Sequence, residues 1–281
     1  MVHSLVQSGN YVVCTARSTS NLSRLEDLIH SKTIKIILAD IDLIETELRH
    51  EKFDCVLNIA CNYGRNDMLY GNVIESNIEF PLKVLNLAVS CGINKFLTIG
   101  TGLPDRLNMY SFSKKMFSEF GKFYVEKQGI DFYNIRLEMF YGSDEPEDRF
   151  IPDLIYRMLS GKEVYTTVGT QKRDIISISD VICAIEMVMD SNMHGYQEVS
   201  VGTGIAPTIS EIIDYVWDET GKTSIVYKGA IPMRKNEPDC IADTKVLLQM
   251  GEWKPVYWKD GIKQMILEIR EREKCKDEIV N

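Results

Sequence analysis

Tyr110 and Lys114 are the residues of this chain whose types and spacing most directly suggest chemistry. Four residues apart on a helix, they share one face, with Cβ atoms about 5–6 Å apart. An ammonium beside a phenol favours the phenolate and draws the tyrosine below its usual pKa of about 10, so that it can exchange a proton near neutrality. The motif by itself is weak. With 13 tyrosines in the chain, about one such pair is expected by chance, and an exposed helix pair is the plainer explanation. Thr101 adds context: it lies nine residues upstream, at the end of the apolar run Phe96-Leu97-Thr98-Ile99-Gly100. A strand-end hydroxyl can hold a substrate oxygen while the tyrosine moves its proton. A turn or N-cap role is the plainer reading of that threonine.

These groups need elements to position them. Residues 11–16, 34–38, 55–59, 96–99 and 132–137 read as β-branched or apolar strands, and residues 25–30, 43–50, 73–91 and 110–127 as helices. Strand–helix alternation with crossovers of this length predicts an α/β protein with a doubly wound parallel sheet covered on both faces. Ligands of such sheets sit outside the carboxyl ends of the strands, where Thr101 falls. Beyond Tyr141 the regularity loosens. A polar loop at 142–148 is followed by predicted helices at 151–159, 180–190 and 209–217, an apolar stretch at 164–168 and a short strand at 199–202. The division expected is a dinucleotide-binding region over 1–141 and a smaller, mainly substrate-binding lobe over 142–281, interleaved with the sheet. The charge run at 271–278 predicts a solvated helix end.

Composition excludes several classes. The chain has 281 residues, 44% hydrophobic and 26% charged, a globular balance. Its 41 acidic against 32 basic residues give a net charge of -9 and a pI near 5.1, which argues against a nucleic-acid or anionic-membrane partner. No apolar run approaches the ~18–20 residues that cross a bilayer, and the first nine residues show no secretory signal. Seven cysteines without a CxxC predict reduced, buried thiols in a cytoplasmic protein. Four scattered histidines supply no zinc spacing, so no metal is expected.

Taken together, the motifs resemble the extended short-chain dehydrogenase/reductase family, the Rossmann-like nucleotide-sugar epimerases, dehydratases and 4-ketoreductases. Besides Thr101 and Tyr110-xxx-Lys114, the resemblance is carried by Glu75-Ser76-Asn77-Ile78-Glu79-Phe80-Pro81-Leu82 and Arg136-Leu137-Glu138-Met139-Phe140-Tyr141-Gly142. Gln171-Lys172-Arg173-Asp174-Ile175-Ile176-Ser177-Ile178-Ser179-Asp180-Val181 and Arg234-Lys235-Asn236-Glu237-Pro238 extend it. Within the family, the short gap between Thr101 and Tyr110 and the segment Asn62-Tyr63-Gly64-Arg65 look most like CDP-abequose synthases, 4-ketoreductases of CDP-6-deoxyhexoses.

The resemblance implies that Tyr110 is the proton donor or acceptor at the sugar 4-position. Lys114 would lower its pKa and hold the nicotinamide ribose, Thr101 would bind the same sugar oxygen, and Asn77 would support the active-site helix. It further implies cofactor contacts at Asp40, Ile41, Ala60 and Glu138, and nucleotide-sugar contacts at Arg65, Met139, Arg173 and Arg234. Arg17 and Ser18 follow the strand at 11–16 where NAD enzymes usually carry an acidic residue, so NADP is favoured over NAD. Gly102 and Leu103, not an acidic residue, follow Thr101, which demotes 4,6-dehydration. A UDP-hexose-type 4-epimerase and an inactive dinucleotide-binding sensor or scaffold stay open. A homodimer built on the helices at 73–91 and 110–127 is expected from the family.

One departure stands out. The family's GxxGxxG phosphate loop is absent, and residues 1–8 look like the second half of the helix that should follow it. The expectation is an N-terminally truncated sequence whose upstream reading frame encodes the first strand and that loop. A chain lacking both is expected to bind dinucleotide weakly and to be marginally stable. The strand is central to the sheet, and the loop amides neutralise the pyrophosphate.

Overall fold

Strand–helix alternation over the first half of the chain is realised in the computed structural model, which describes residues 1–64, 70–235 and 237–280. The order begins α1 (Val2–Gln7), β1 (Val12–Ala16), α2 (Glu26–His30), β2 (Ile34–Leu38), α3 (Ile41–His50) and β3 (Val56–Asn58). It continues with α4 (Gly71–Ile74), a π-helical turn (Glu75–Glu79), α5 (Phe80–Ser90), β4 (Lys95–Thr101), α6 (Met109–Gln128) and β5 (Asp131–Leu137). Then come β6 (Met139–Tyr141), α7 (Phe150–Leu159), β7 (Val164–Thr166), β8 (Ile175–Ser177), α8 (Ile178–Asp190) and β9 (Tyr196–Val201). The last elements are α9 (Ile209–Glu219), β10 (Val226–Lys228), α10 (Lys245–Met250) and α11 (Trp258–Val280).

The main sheet has the order β3-β4-β5-β9. β3 and β4 run parallel, with Val56 opposite Phe96 and Asn58 opposite Thr98. β1 and β2 form a separate parallel pair, with Val12 opposite Ile34; among the described residues no strand joins this pair to the main sheet. Two further parallel pairs, β6 with β8 and β7 with β10, complete the strands.

The chain divides into two compact units. The first comprises Met1–Gly100, Asp105–Ile135 and Ile185–Glu198, the second Thr101–Pro104, Arg136–Ala184 and Val199–Asn281. In the first, Leu85 and Ala88 of α5, Phe117 of α6, Phe96 of β4 and Phe132 of β5 form a buried cluster. Phe96 and Phe132 stack at 5.6 Å between centroids, and Phe117 meets both edge-on, geometry that adds to the burial of the rings. In the second, α7, α9 and α11 pack Leu154, Ile155, Met158, Ile212, Val216, Ile262 and Ile266 around Tyr141 and Ile175.

Several elements depart from the sequence reading. The long helix at 73–91 is interrupted by the π-turn. Pro81 breaks the regular ladder there, because it has no N–H to offer the carbonyl four residues back, that of Asn77. The tail at 271–278 is helical as expected, with Glu271, Arg272 and Lys274 exposed, and Arg272 donates to the Ser143 carbonyl at 2.7 Å and to Asp144 Oδ1 at 2.8 Å. All seven cysteines are free, yet Cys240 alone is buried, and Cys61, Cys183 and Cys275 are exposed; the expectation of buried thiols is corrected accordingly. Among the described residues no helix is long and apolar enough to cross a membrane.

Candidate functional site

In the first unit, α6 brings the chemistry. Its N-terminus is fixed by a reciprocal cap in which Ser111 N donates to Asn108 Oδ1 at 2.8 Å and Asn108 N donates to Ser111 Oγ, an arrangement that satisfies two otherwise orphaned donors. Tyr110 lies in the first turn and Lys114 one turn on. The Tyr110 ring is covered by Tyr63, 4.8 Å away between centroids. Lys114 is buried, with 5% of its surface exposed, and its ammonium donates to the Ala60 carbonyl at 3.4 Å. Burial pulls the Lys114 pKa below its ordinary value, an effect partly offset by the nearby Cys61 sulfur.

The helix is held in place by a polar network at the π-turn. Asn77 Oδ1 accepts from Asn62 N at 2.7 Å, while its Nδ2 donates to the Asn62 carbonyl and to Ser113 Oγ, both at 2.9 Å. Ser113 in turn donates to the Tyr110 carbonyl at 2.8 Å. Asn77 and Ser113 are fully buried, so this chain of bonds is shielded from water, where each link is worth more and its loss costs more. Asn77, Ala60, Tyr110 and Lys114 are thus brought together. Asn62, Tyr63 and Ser113 join them, although the sequence reading assigned them no role. The serine directly before the motif lysine was the available signal.

The remaining first-unit candidates lie just beyond β1 and at the start of α3. Arg17 and Ser18 follow β1, both exposed, and among the described residues the Arg17 guanidinium has no partner. Asp40 is the N-cap of α3, its Oδ1 accepting from Asp42 N and Leu43 N, with Ile41 opening the helix.

The second unit holds the others. Thr101 ends β4 half-buried; its Oγ1 accepts from Leu103 N at 3.3 Å and its carbonyl accepts from Arg136 Nε at 3.1 Å. The Glu138 carboxyl packs against Gly102, where an added Cβ would overlap it. Burial and the neighbouring Asp174 charge push Glu138 up to about 7, against the opposing pull of Arg136 and Arg173. Met139 is partly buried against the second unit's core. Arg173 is already engaged, donating to the Lys172 and Pro238 carbonyls at 2.8 and 2.6 Å and to Glu237 Oε1 at 2.6 Å. Arg234 is exposed, with no partner among the described residues. Arg65 lies outside the described residues.

A dinucleotide can be tested against these residues. A buried ammonium with one long carbonyl bond has donors left to spend, and ribose hydroxyls are the acceptors that would take them. The residues around Lys114 fit that end of the cofactor.

Relatives of the chain are found along most of its length. The model of the NAD dependent epimerase/dehydratase family matches residues 1–202. The CDP-abequose synthase of Salmonella muenchen is 27% identical over 275 residues, spanning 95% of this chain and 92% of the relative. Its namesake from Salmonella typhimurium is 32% identical over 225 residues, 75% of each chain. The UDP-glucose 4-epimerase of Thermotoga maritima, solved with UDP-glucose, superposes with a TM-score of 0.83 over 96% of this chain and 94% of its own. At 20% identity that likeness shows the shared Rossmann-type α/β fold. With its matched segment reaching well past the midpoint, the chain belongs to the NAD dependent epimerase/dehydratase family.

Proposed function

We propose that this protein is an NADP-dependent oxidoreductase that reduces the C4 ketone of a CDP-linked 4-keto-6-deoxyhexose. The observation that carries the reading is the buried, sparsely bonded Lys114 ammonium, one helical turn from Tyr110 on a helix clamped by Asn77 and Ser113. The relatives named CDP-abequose synthase support the nucleotide and the sugar class.

The bound nicotinamide supplies the hydride that goes to C4. As the carbonyl π bond breaks and its electron pair moves onto oxygen, the Tyr110 phenol gives that oxygen its proton and leaves a phenolate, later reprotonated from solvent. Lys114 holds the nicotinamide ribose and, by its positive charge, favours the phenolate. Thr101 donates a hydrogen bond to the same sugar oxygen. Asn77 and Ser113 keep the helix and its tyrosine in register. Arg17 and Ser18 take the 2′-phosphate that distinguishes NADP, Asp40 and Ile41 meet the adenine, and Ala60 and Glu138 line the cofactor's path. Residues 142–281 supply mainly substrate contacts: Met139, just ahead of them, joins Arg173 and Arg234 in binding the nucleotide-sugar, and Arg173 reaches it by exchanging Glu237 for a diphosphate oxygen.

The test is oxidation of NADPH, compared with NADH, in the presence of a CDP-4-keto-6-deoxyhexose. Turnover faster with NADPH is expected, and Tyr110→Phe should lower kcat by about 10²–10⁴-fold. Interconversion of a UDP-hexose without net cofactor consumption would replace the reductase by an epimerase. Binding without any turnover would replace it by a sensor. The assembly proposed is a homodimer. On α6, Phe112, Phe120 and Phe123 stay exposed, and a second copy's α5 and α6 would cover them. Light scattering should give twice the chain mass for the wild type and one chain mass for Phe123→Glu; a monomeric wild type rejects the dimer.

A further inference from the structure

Two carboxyl groups of the second unit, Glu138 and Asp174, sit close enough to influence each other, but their surroundings differ. Asp174 is completely buried and fully served. Its Oδ1 accepts from Thr203 N and Oγ1 at 2.8 and 2.7 Å, and its Oδ2 accepts from Gly204 N at 2.8 Å and Ala242 N at 3.2 Å. That is an environment for an anion. Glu138, half-buried, has no hydrogen-bond donor among the described residues. The cations that act on it are committed elsewhere: Arg136 Nε to the Thr101 carbonyl, Arg173 to two carbonyls and Glu237. The Cys240 thiol, also within its influence, is itself raised by burial.

The backbone is shaped to keep the Glu138 carboxyl where it is. Gly102 N donates to the Leu137 carbonyl at 2.8 Å and Glu138 N to the Val201 carbonyl at 3.1 Å. These bonds fix the glutamate's main chain beside the residue that follows Thr101. The absent side chain of Gly102 leaves the room into which the carboxyl fits. Any other residue there would push it away.

We propose that the Glu138 carboxyl, seated on Gly102 next to Thr101, binds a hexose oxygen of the nucleotide-sugar as a hydrogen-bond donor. This rests on the reductase reading above and gives Glu138 a part in selecting substrate beyond lining the cofactor's path. The chemistry follows from the neighbours. Four donors converge on Asp174 and none on Glu138, and a carboxyl that is buried without donors is the one that keeps its proton. A neutral acid can donate to a ketone oxygen, which an anion cannot, and it does not repel the diphosphate of the same ligand. The burial that raises Glu138 to about 7 keeps the donor form populated at neutral pH.

The experiment uses the full chain and CDP-4-keto-6-deoxyglucose, with Glu138→Gln and Glu138→Leu as variants. Glutamine keeps the size and a donor, so calorimetric affinity for the sugar should stay within a few-fold of the wild type. Leucine removes the donor and should weaken sugar binding about tenfold. Wild-type affinity should fall as pH rises from 6 to about 8, and Glu138→Gln should lose that fall. Carbon-13 NMR of labelled glutamate carboxyls, which does not depend on turnover, should show one resonance titrating near pH 7 that is missing from Glu138→Gln. Equal sugar affinity in wild type and both variants, or no such resonance, overturns the proposal. If leucine prevents folding, the glutamine pH profile and the resonance decide it alone. Binding that follows this pattern without NADPH oxidation would sink the reductase reading and leave the Glu138 contact standing.

Discussion

An ammonium and a carboxyl of this molecule are both held away from water, and burial moves them in opposite directions: Lys114 loses proton affinity, and Glu138 gains it. For Glu138 the consequence for stability has a definite sign. Between the ordinary carboxylate pKa and about 7 the unfolded chain is ionised there while the native protein keeps its proton, so the native state binds more protons and stability falls as pH rises. The contribution is fully present below the unfolded pKa and is gone above the folded one. Glu138→Gln is therefore expected to raise stability over the wild type by about 1–3 kcal/mol at pH 8 and to match it near pH 4, measured by urea unfolding. A constant difference across that range would contradict the account. At this scale the sequence shows pairs tied by spacing, such as Tyr110 with Lys114. It does not show pairs made by the fold: Asn77 with Ser113, or Arg173 with Glu237, depend on a π-turn and on a loop brought back over sixty residues.

Helix α6 illustrates what an element must satisfy at once. Its first turns carry Tyr110 and Lys114, its middle lies on the sheet, and its end is closed by Gly129 in the left-handed region, at φ 71°. The helix lies tight against the sheet at Gly121, where any Cβ would run into the Phe132 ring. Gly121→Val is expected to cost about 1–3 kcal/mol as α6 is forced outward, read as a lower urea midpoint with an unchanged slope. A neutral substitution would mean that helix and sheet are less tightly joined than described. Elements of this kind were legible because apolar periodicity and turn residues mark them: β2 and α7 fall within a residue of the positions that the pattern gives. The three-residue strands β6, β8 and β10 are too short to carry a period. Helix α11 did carry one, with Trp258, Ile262, Met265, Ile266 and Ile269 all buried at helical spacing, beneath the conspicuous charge of its far end.

At the scale of the whole molecule, the strands among the described residues fall into four separate sheets. β4 is buried on both faces through Phe96, Leu97, Thr98 and Ile99, whereas β1 keeps Val12, Val13 and Cys14 only half-buried in a pair of its own. Such a difference divides a protein into parts that melt separately. The amides of residues 12–16 are expected to exchange with deuterium through local opening, at a free energy nearly independent of added denaturant. Those of residues 96–99 should exchange only when the whole chain unfolds, with a steep dependence. The two sets of isotherms merging at low denaturant would show a single cooperative unit. If they stay apart, the segment bearing Arg17 and Ser18 can loosen and re-form many times within one lifetime of the native core, so that the cofactor capture proposed for that end is timed by fraying and not by the folding of the rest.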